Sequence, residues 1–381
     1  MMTTNTPKLK IMTIVGTRPE IIRLSRTMAL LDKYTQQVIV HTGQNYDYEL
    51  NEVFWSDLEL RKPDHFLNVD VTSLGATIGD IMRKSEEVMR LEKPDAVLVL
   101  GDTNSCLTAY IAKRLRIPVF HMEAGNRSFD FNVPEEINRR IIDHIADFNL
   151  VYTEHARRHL ISEGLLHRRI YLTGSPMQEV LTFYKNKIEA SVILDTLKLK
   201  KKSYFVVSTH REENVDSPDN LRKIITVLNQ LADQYNVPVI VSTHPRTRKR
   251  MEQLTDIVLD ERVQYLKPFG FLDYVNLQMN ALCTLSDSGT ISEESAMLSF
   301  PAISLRQSME RPEAQDAGTI ILTGFQPDIV LNAIGTVIDE FGQTTKYARI
   351  AEDYTIQNTS WRVLKLILGN TKLSNKWWGI N

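Results

Sequence analysis

"KIMTIVGTRPEIIRLSRTMALLDK", residues 10–33, sets a short β-branched run against a glycine and then a longer amphipathic stretch. "KIMTIV" reads as a strand and Gly16 as its turn, with Pro19 where the first turn of a helix tolerates a residue lacking an N–H. The unit recurs. "QQVIVHTG" (36–43), "AVLVLG" (96–101), "IPVFHME" (117–123), "FNLVYT" (148–153) and "RIYLTG" (169–174) follow, mostly separated by helix-like segments. Nearly continuous apolar strands alternating with helices predict a parallel sheet covered on both faces.

Residues 176–203 break the rhythm: a helical stretch ends in the basic run "LKLKKKS" (197–203), which reads as solvated surface. A second series then begins with "SYFVVSTH" (203–210) and "VPVIVSTH" (237–244). It continues through "VQYLKP" (263–268), "ALCTLSDSG" (281–289), "PAISLR" (301–306) and "TIILTG" (319–324). The expected fold class is α/β, two doubly wound Rossmann-like domains over residues 1–175 and 176–359. Ligands of such sheets sit at the carboxyl ends of the strands, so two such domains would face one another across a cleft.

The length of 381 residues suits two cores rather than one, and 43% apolar with 24% charged residues is a globular composition. A net charge of −2 gives no general drive toward nucleic acid or an anionic membrane. The opening "MMTTNTPKLK" lacks the apolar core of a signal peptide, and no apolar run approaches the roughly 18 residues of a membrane helix. Cys106 and Cys283 stand far apart without metal-ligand spacing. These features predict a soluble, cytoplasmic protein.

Charged clusters gather at predicted strand ends. In "VGTRPEII" (15–22) the glycine turn and following helix present backbone N–H groups to which Arg18 adds a phosphate clamp; a plain tight turn has the same pattern. "LGDTNSC" (100–106) places Asp102 after a very apolar strand, where it serves either as a helix cap or in chemistry. Glu123 ends the next strand in "HMEAGNR" and has no cap to make. Carboxylates at neighbouring strand ends push one pKa up, which supplies an acid and a base together. "NVPEEINRRIIDHIADF" (132–148) opens a helix with Glu135, which either complements the helix dipole or joins the same strand ends. Asp143 and His144, further along, read as packing or surface residues.

In the second series, "STHREEN" (208–214) sets His210 and Arg211 at a strand mouth, with His244 of "THPR" as the runner-up. "LSDSGTISEES" (285–295) turns through Ser288, Gly289 and Thr290 into a helix whose N-terminus suits a pyrophosphate, and Glu294 one turn on suits ribose hydroxyls. "MERPE" (309–313) adds Arg311, and "LKPFGFLDY" (266–274) offers Tyr274 and other rings to a planar base. Neither G-x-x-x-x-G-K-[ST] nor G-x-G-x-x-G occurs, which argues against an ATPase or a nicotinamide enzyme.

Taken in order, "GTRPE", "GDTNS", "HMEAGNR", "PEEINR", "STHREEN", "SDSGTISEES" and "ERPE" resemble the non-hydrolysing UDP-N-acetylglucosamine 2-epimerases over roughly residues 10–325. The resemblance implies a glycosyltransferase-B type fold, usually homodimeric, in which the final helix (360–381) returns to the first domain. It implies a UDP-sugar substrate and no metal or other cofactor. It places functional carboxylates on Asp102, Glu123 and Glu135 and a histidine on His210. UDP contacts fall on Arg18, Tyr274, Ser288, Gly289, Thr290, Glu294 and Arg311.

The family's UDP-N-acetylglucosamine enzymes have lysine where Arg23 stands and glycine where Thr290 stands. Their segment between the two glutamates is longer by about two residues, and "GQNYDYEL" (43–50) replaces a Gln-His stretch that binds a regulatory second substrate in some members. In those places the chain resembles the branch that converts UDP-2-acetamido-2,6-dideoxy-L-talose to UDP-N-acetyl-L-fucosamine for capsules and O-antigens. UDP-N-acetylglucosamine epimerisation is the alternative substrate reading. A retaining glycosyltransferase, a hydrolysing epimerase and a UDP-sugar sensor are the rival classes.

Overall fold

The computed structural model describes residues 7–43, 55–254, 257–343 and 350–380. Most of "GQNYDYEL" therefore lies outside the described residues. The chain divides into two compact units, Met1–Thr182 with Ile356–Asn381, and Phe183–Thr355.

The first unit is built on strands β1 (Lys10–Val15), β2 (Gln36–His41), β3 (His65–Phe66), β4 (Ala96–Leu100), β5 (Val119–Met122), β6 (Phe148–Val151) and β7 (Ile170–Leu172). Among the described residues they form one parallel sheet in the order β3-β2-β1-β4-β5-β6-β7. Every residue of β4 is buried, as are five of the six in β1, because helices cover both faces. The sequence pattern predicts each of these strands except β3. Two residues paired with Val40 and His41 are too few to leave a periodic signal.

The second unit holds β8 (Phe205–Ser208), β9 (Val239–Ser242), β10 (Val263–Leu266), β11 (Cys283–Ser286), β12 (Ala302–Ser304) and β13 (Ile321–Leu322), all parallel, in the order β10-β9-β8-β11-β12-β13. Both sheets reverse strand order once, between β1 and β4 in the first unit and between β8 and β11 in the second. These reversals open the crevices in which doubly wound sheets bind ligands. The architecture is that of two Rossmann-like α/β domains.

The helix Thr359–Trp378 completes the first unit although it is the last element of the chain. Asn375 Nδ2 donates to the Arg116 carbonyl at 3.0 Å, Trp378 Nε1 to Asp147 at 2.6 Å, and Lys372 pairs with Asp95. At its start, Thr359 Oγ1 donates to the Thr173 carbonyl at 3.0 Å and the Ser360 N–H to Glu179 at 2.9 Å. Most of the stability of a helix in a protein comes from packing of its apolar face, so docking is what holds it. No helix among the described residues is long and apolar enough to cross a membrane.

Candidate functional site

At the first switch point, Gly16 and Thr17 carry the chain from β1 into the helix Arg18–Tyr34. Glu20, in the first turn of that helix, is buried and accepts from the backbone N–H of Gly16 and of Thr17. It also takes hydrogen bonds from Thr103 and from Ser105 Oγ (3.0 Å), both in the loop after β4. One carboxyl thus ties together the two loops that flank the crevice. Burial, only partly offset by those four donors, raises its pKa to about 7. The sequence reading passed over Glu20. Its signal was a carboxylate three residues after Thr17, the spacing of a capping box.

Asp102 follows Gly101, a residue with φ +75°. Its carboxylate does not cap a helix. It accepts from Arg139 Nε at 3.1 Å and again from Nη2, while its carbonyl accepts from Asn138 Nδ2 at 2.9 Å. Both partners come from the helix Pro134–Ile145, whose first turn carries the partly exposed Glu135. Glu123 lies one residue past β5 with φ +67°, a left-handed conformation rare for a residue with a side chain. Arg23, from the helix Arg18–Tyr34, donates to its Oε2, and Asn126 Nδ2 approaches Oε1 at 3.4 Å. A Cβ placed on Gly101 would stand 3.8 Å from Glu123 Oε2. The structure therefore brings Asp102 and Glu123 together at adjacent strand ends. Arg18 is partly exposed at the start of its helix, on the neighbouring strand end.

Many of the other charges in residues 121–140 are structural. Asp143, further along the same helix, is a packing residue rather than a surface one: it is fully buried, 2.9 Å from His121 Nδ1 and 2.6 Å from Arg127 Nη1, and accepts from the Gly125 N–H at 3.1 Å. Burial works against its ionisation, yet the hydrogen bonds and charges of His121 and Arg127 hold its pKa below the usual carboxylate range. His121 Nε2 also bonds the Gly101 carbonyl at 2.8 Å. Glu136, likewise buried, accepts from Ser128 N and Oγ (3.0 Å each), Arg139 (2.9 Å) and Arg140 (3.0 Å). His144 does sit at the surface. The loop between Glu123 and Pro134 is thus pinned from below, while Phe129 and Phe131 are left 66% and 67% exposed.

At the second switch point the organising group is Asp287, one residue past β11. It accepts from the backbone N–H of His210 (2.9 Å) and Arg211 (3.0 Å) and from Asn214 Nδ2 (2.8 Å), so it welds the end of β8 to the end of β11. His210 Nδ1 lies 3.3 Å from the same carboxylate and its side chain is 45% exposed. His244, by contrast, caps the next helix, its Nδ1 accepting from the Arg246 N–H at 3.3 Å.

Ser288 Oγ and Thr290 Oγ1 are 2.9 Å apart at the entry to the helix Ile291–Leu298. Gly289 leaves room for a charge cluster: a Cβ there would come within 3.2 Å of Glu310, 3.6 Å of Arg306 Nη1 and 3.8 Å of Arg211. Arg306, one of this cluster, was not singled out from sequence, and its position just past β12 was the available signal. Glu294 accepts from Gln278 Nε2 at 3.0 Å. Arg311 is buried and donates to Glu293 at 2.6 Å. Tyr274 is partly buried with its hydroxyl against Ser208 and Ser286 at the ends of β8 and β11, and burial raises its pKa. Among the described residues no group of three or more His, Cys, Asp or Glu is arranged to hold a metal ion. Both cysteines are buried thiols.

Residues 29–368 match the family model of UDP-N-acetylglucosamine 2-epimerase. The structure of UDP-N-acetylglucosamine 2-epimerase from Rickettsia bellii is 48% identical in sequence and superposes with a TM-score of 0.90 over 97% of this chain and 100% of that one. The Methanocaldococcus jannaschii UDP-GlcNAc 2-epimerase, solved in complex with UDP-GlcNAc and UDP, is 32% identical with a TM-score of 0.87 over 94% and 99% of the two chains. UDP-2,3-diacetamido-2,3-dideoxy-D-glucuronate 2-epimerase of Pseudomonas aeruginosa is 34% identical over 88% of this chain and 95% of its own. The chain belongs to the non-hydrolysing UDP-N-acetylglucosamine 2-epimerase family of isomerases.

Proposed function

We propose that this UDP-sugar 2-epimerase inverts C2 of UDP-2-acetamido-2,6-dideoxy-L-talose, giving UDP-N-acetyl-L-fucosamine for capsule or O-antigen synthesis. C2 of an N-acetylamino sugar has no adjacent carbonyl to acidify it, so its proton leaves only as the C1–oxygen bond to UDP breaks. The products of that half-reaction are a 2-acetamidoglycal and UDP. Return of UDP to C1 with protonation of the other face of C2 completes the inversion, with no net redox change.

Such a step needs acid–base groups on both faces of one carbon. Glu123, Asp102 and Glu135 are the candidates, supported by the strand-end placement of the first two and by the Arg139 and Asn138 bonds that link Asp102 to Glu135's helix. Arg18, His210, Arg311 and the Ser288–Thr290 turn are assigned to the pyrophosphate, whose charge grows as the bond breaks. Glu294 is assigned to the ribose and Tyr274 to the neighbourhood of the base. The working form is proposed to be a homodimer, which light scattering checks as twice the 43.8 kDa chain mass.

The observation that carries the 6-deoxy substrate is the exposed pair Phe129 and Phe131 just before the helix of Glu135. A methyl group at C6 suits such a surface, and a hydroxymethyl group would lose hydration there. The second reading, UDP-N-acetylglucosamine as substrate, is favoured by the 48% identical Rickettsia structure of that name. NMR of parallel reactions with the two nucleotide sugars in D₂O decides. Deuterium at C2 of the 6-deoxy sugar alone supports the proposal, deuterium in UDP-N-acetylglucosamine alone transfers it to the second reading, and none in either overturns both.

A further inference from the structure

We propose that the first unit carries a second ligand site, a nucleotide-binding cavity between edge strand β7 and the C-terminal helix Thr359–Trp378. The cavity is an open groove of about 800 Å³, within the roughly 300–1,000 Å³ of small-molecule sites. Arg157 reaches it from the helix Glu154–Ser162, His167 and Arg168 from the turn before β7, Tyr171 from β7, and Arg362 and Trp377 from the C-terminal helix. In the sheet order β7 lies three strands beyond β4, so these residues are separate from the switch point and its carboxylates.

Charge is the first argument. Three guanidinium groups and an imidazole converge on one concavity, and no carboxylate lines it. Arg157 meets one acid, Glu154, at 3.0 Å, and its Nε is buried with no acceptor. Arg362 uses Nε on Asn358 Oδ1 (2.8 Å) and Nη1 on the Leu172 carbonyl (3.2 Å), both neutral oxygens. Arg168 is exposed and pairs with no carboxylate among the described residues. Its charge is felt next door: burial lowers the pKa of Arg169, Asp147 opposes that, and Arg168 adds to it. Glu154 offsets Arg157 alone, so the repulsion that Arg168 and Arg362 add along the groove is unbalanced, and a bound polyanion removes that cost. Arginine, with its planar fork of donors, is the cation suited to phosphate oxygens.

Shape and surface are the second. The remaining lining, which includes Ile170, Leu172 and Leu366, is apolar or aromatic. A bare phosphate would leave that surface wet, whereas a flat base covers it and packs against the half-buried rings of Tyr171 and Trp377. A ligand with two or more negative charges joined to a planar ring meets both halves of the lining, and a nucleoside diphosphate is that class.

The test is calorimetric titration of the full-length protein with UDP, beside the double variant Arg168→Ser/Arg362→Ser. The expected result is a UDP-binding event at least tenfold weaker in the variant, while kcat is unchanged. If the pair of substitutions unfolds the protein, the single Arg168→Glu change at an exposed side chain gives the same reading. A UDP isotherm insensitive to these substitutions overturns the proposal, whatever binding occurs at the strand ends. Inorganic pyrophosphate binding as tightly as UDP overturns the assignment to a nucleotide. A change in oligomeric state with UDP binding intact overturns it in favour of a contact between copies of the chain.

Discussion

Glu20 shows what a single buried carboxyl does when it joins two loops. Its folded pKa of about 7 lies above the ordinary 4.5, so the folded chain keeps a proton that the unfolded chain gives up. Stability from this group is present below about pH 4.5 and is lost as pH rises toward 7, a total of about 3 kcal/mol by linkage. A Glu20→Gln side chain reproduces the protonated acid, with its oxygen accepting the Gly16 and Thr17 N–H groups and its amide donating to the Thr103 and Ser105 hydroxyls. Urea unfolding from pH 5 to 8 is expected to show the variant gaining on the wild type as pH rises; a constant gap refutes the assignment. Glu123→Gln is the companion prediction for chemistry. Turnover is expected to fall by about 10²-fold or more with UDP affinity within a few-fold of wild type, read by NMR and calorimetry.

The elements most legible in the sequence were those whose signal is local. β1, β4 and β5 are buried on both faces and therefore appear as unbroken apolar runs, and the residues just past them appear as charges. What could not be read was which charge meets which. Arg127 reaches Glu163 at 2.6 Å across 36 positions, and Arg23 reaches Glu123 across 100. Nothing in the spacing of either pair announces a contact, so a buried brace such as Glu136 could not be told from the strand-end groups. The brace has a weak point that the structure does reveal. Gly125 has φ +81°, and a Cβ there would fall 2.4 Å from the Ala156 carbonyl oxygen. Gly125→Ala is expected to destabilise the protein by about 3 kcal/mol in denaturant titrations and to lower activity by displacing Glu123, two residues earlier.

At the scale of the molecule, both units repeat one strand order, and each concentrates its charged and small polar residues where that order reverses. The first unit differs in being discontinuous, completed by Ile356–Asn381. Removal of residues 356–381 strips partners from Asp95, Asp147 and Glu179 and bares the apolar face that the last helix covers. The truncated chain is expected to lose solubility or to melt at least 10 °C lower, and scanning calorimetry beside the full-length protein checks this.

That discontinuity also sets an order of events during synthesis. The ribosome finishes all of Phe183–Thr355 before it begins the helix that closes the earlier unit. The nascent amino-terminal sheet therefore waits, incomplete, through the translation of an entire intervening domain. A chain interrupted after Thr355 would carry its younger domain whole, while its oldest part fails to mature.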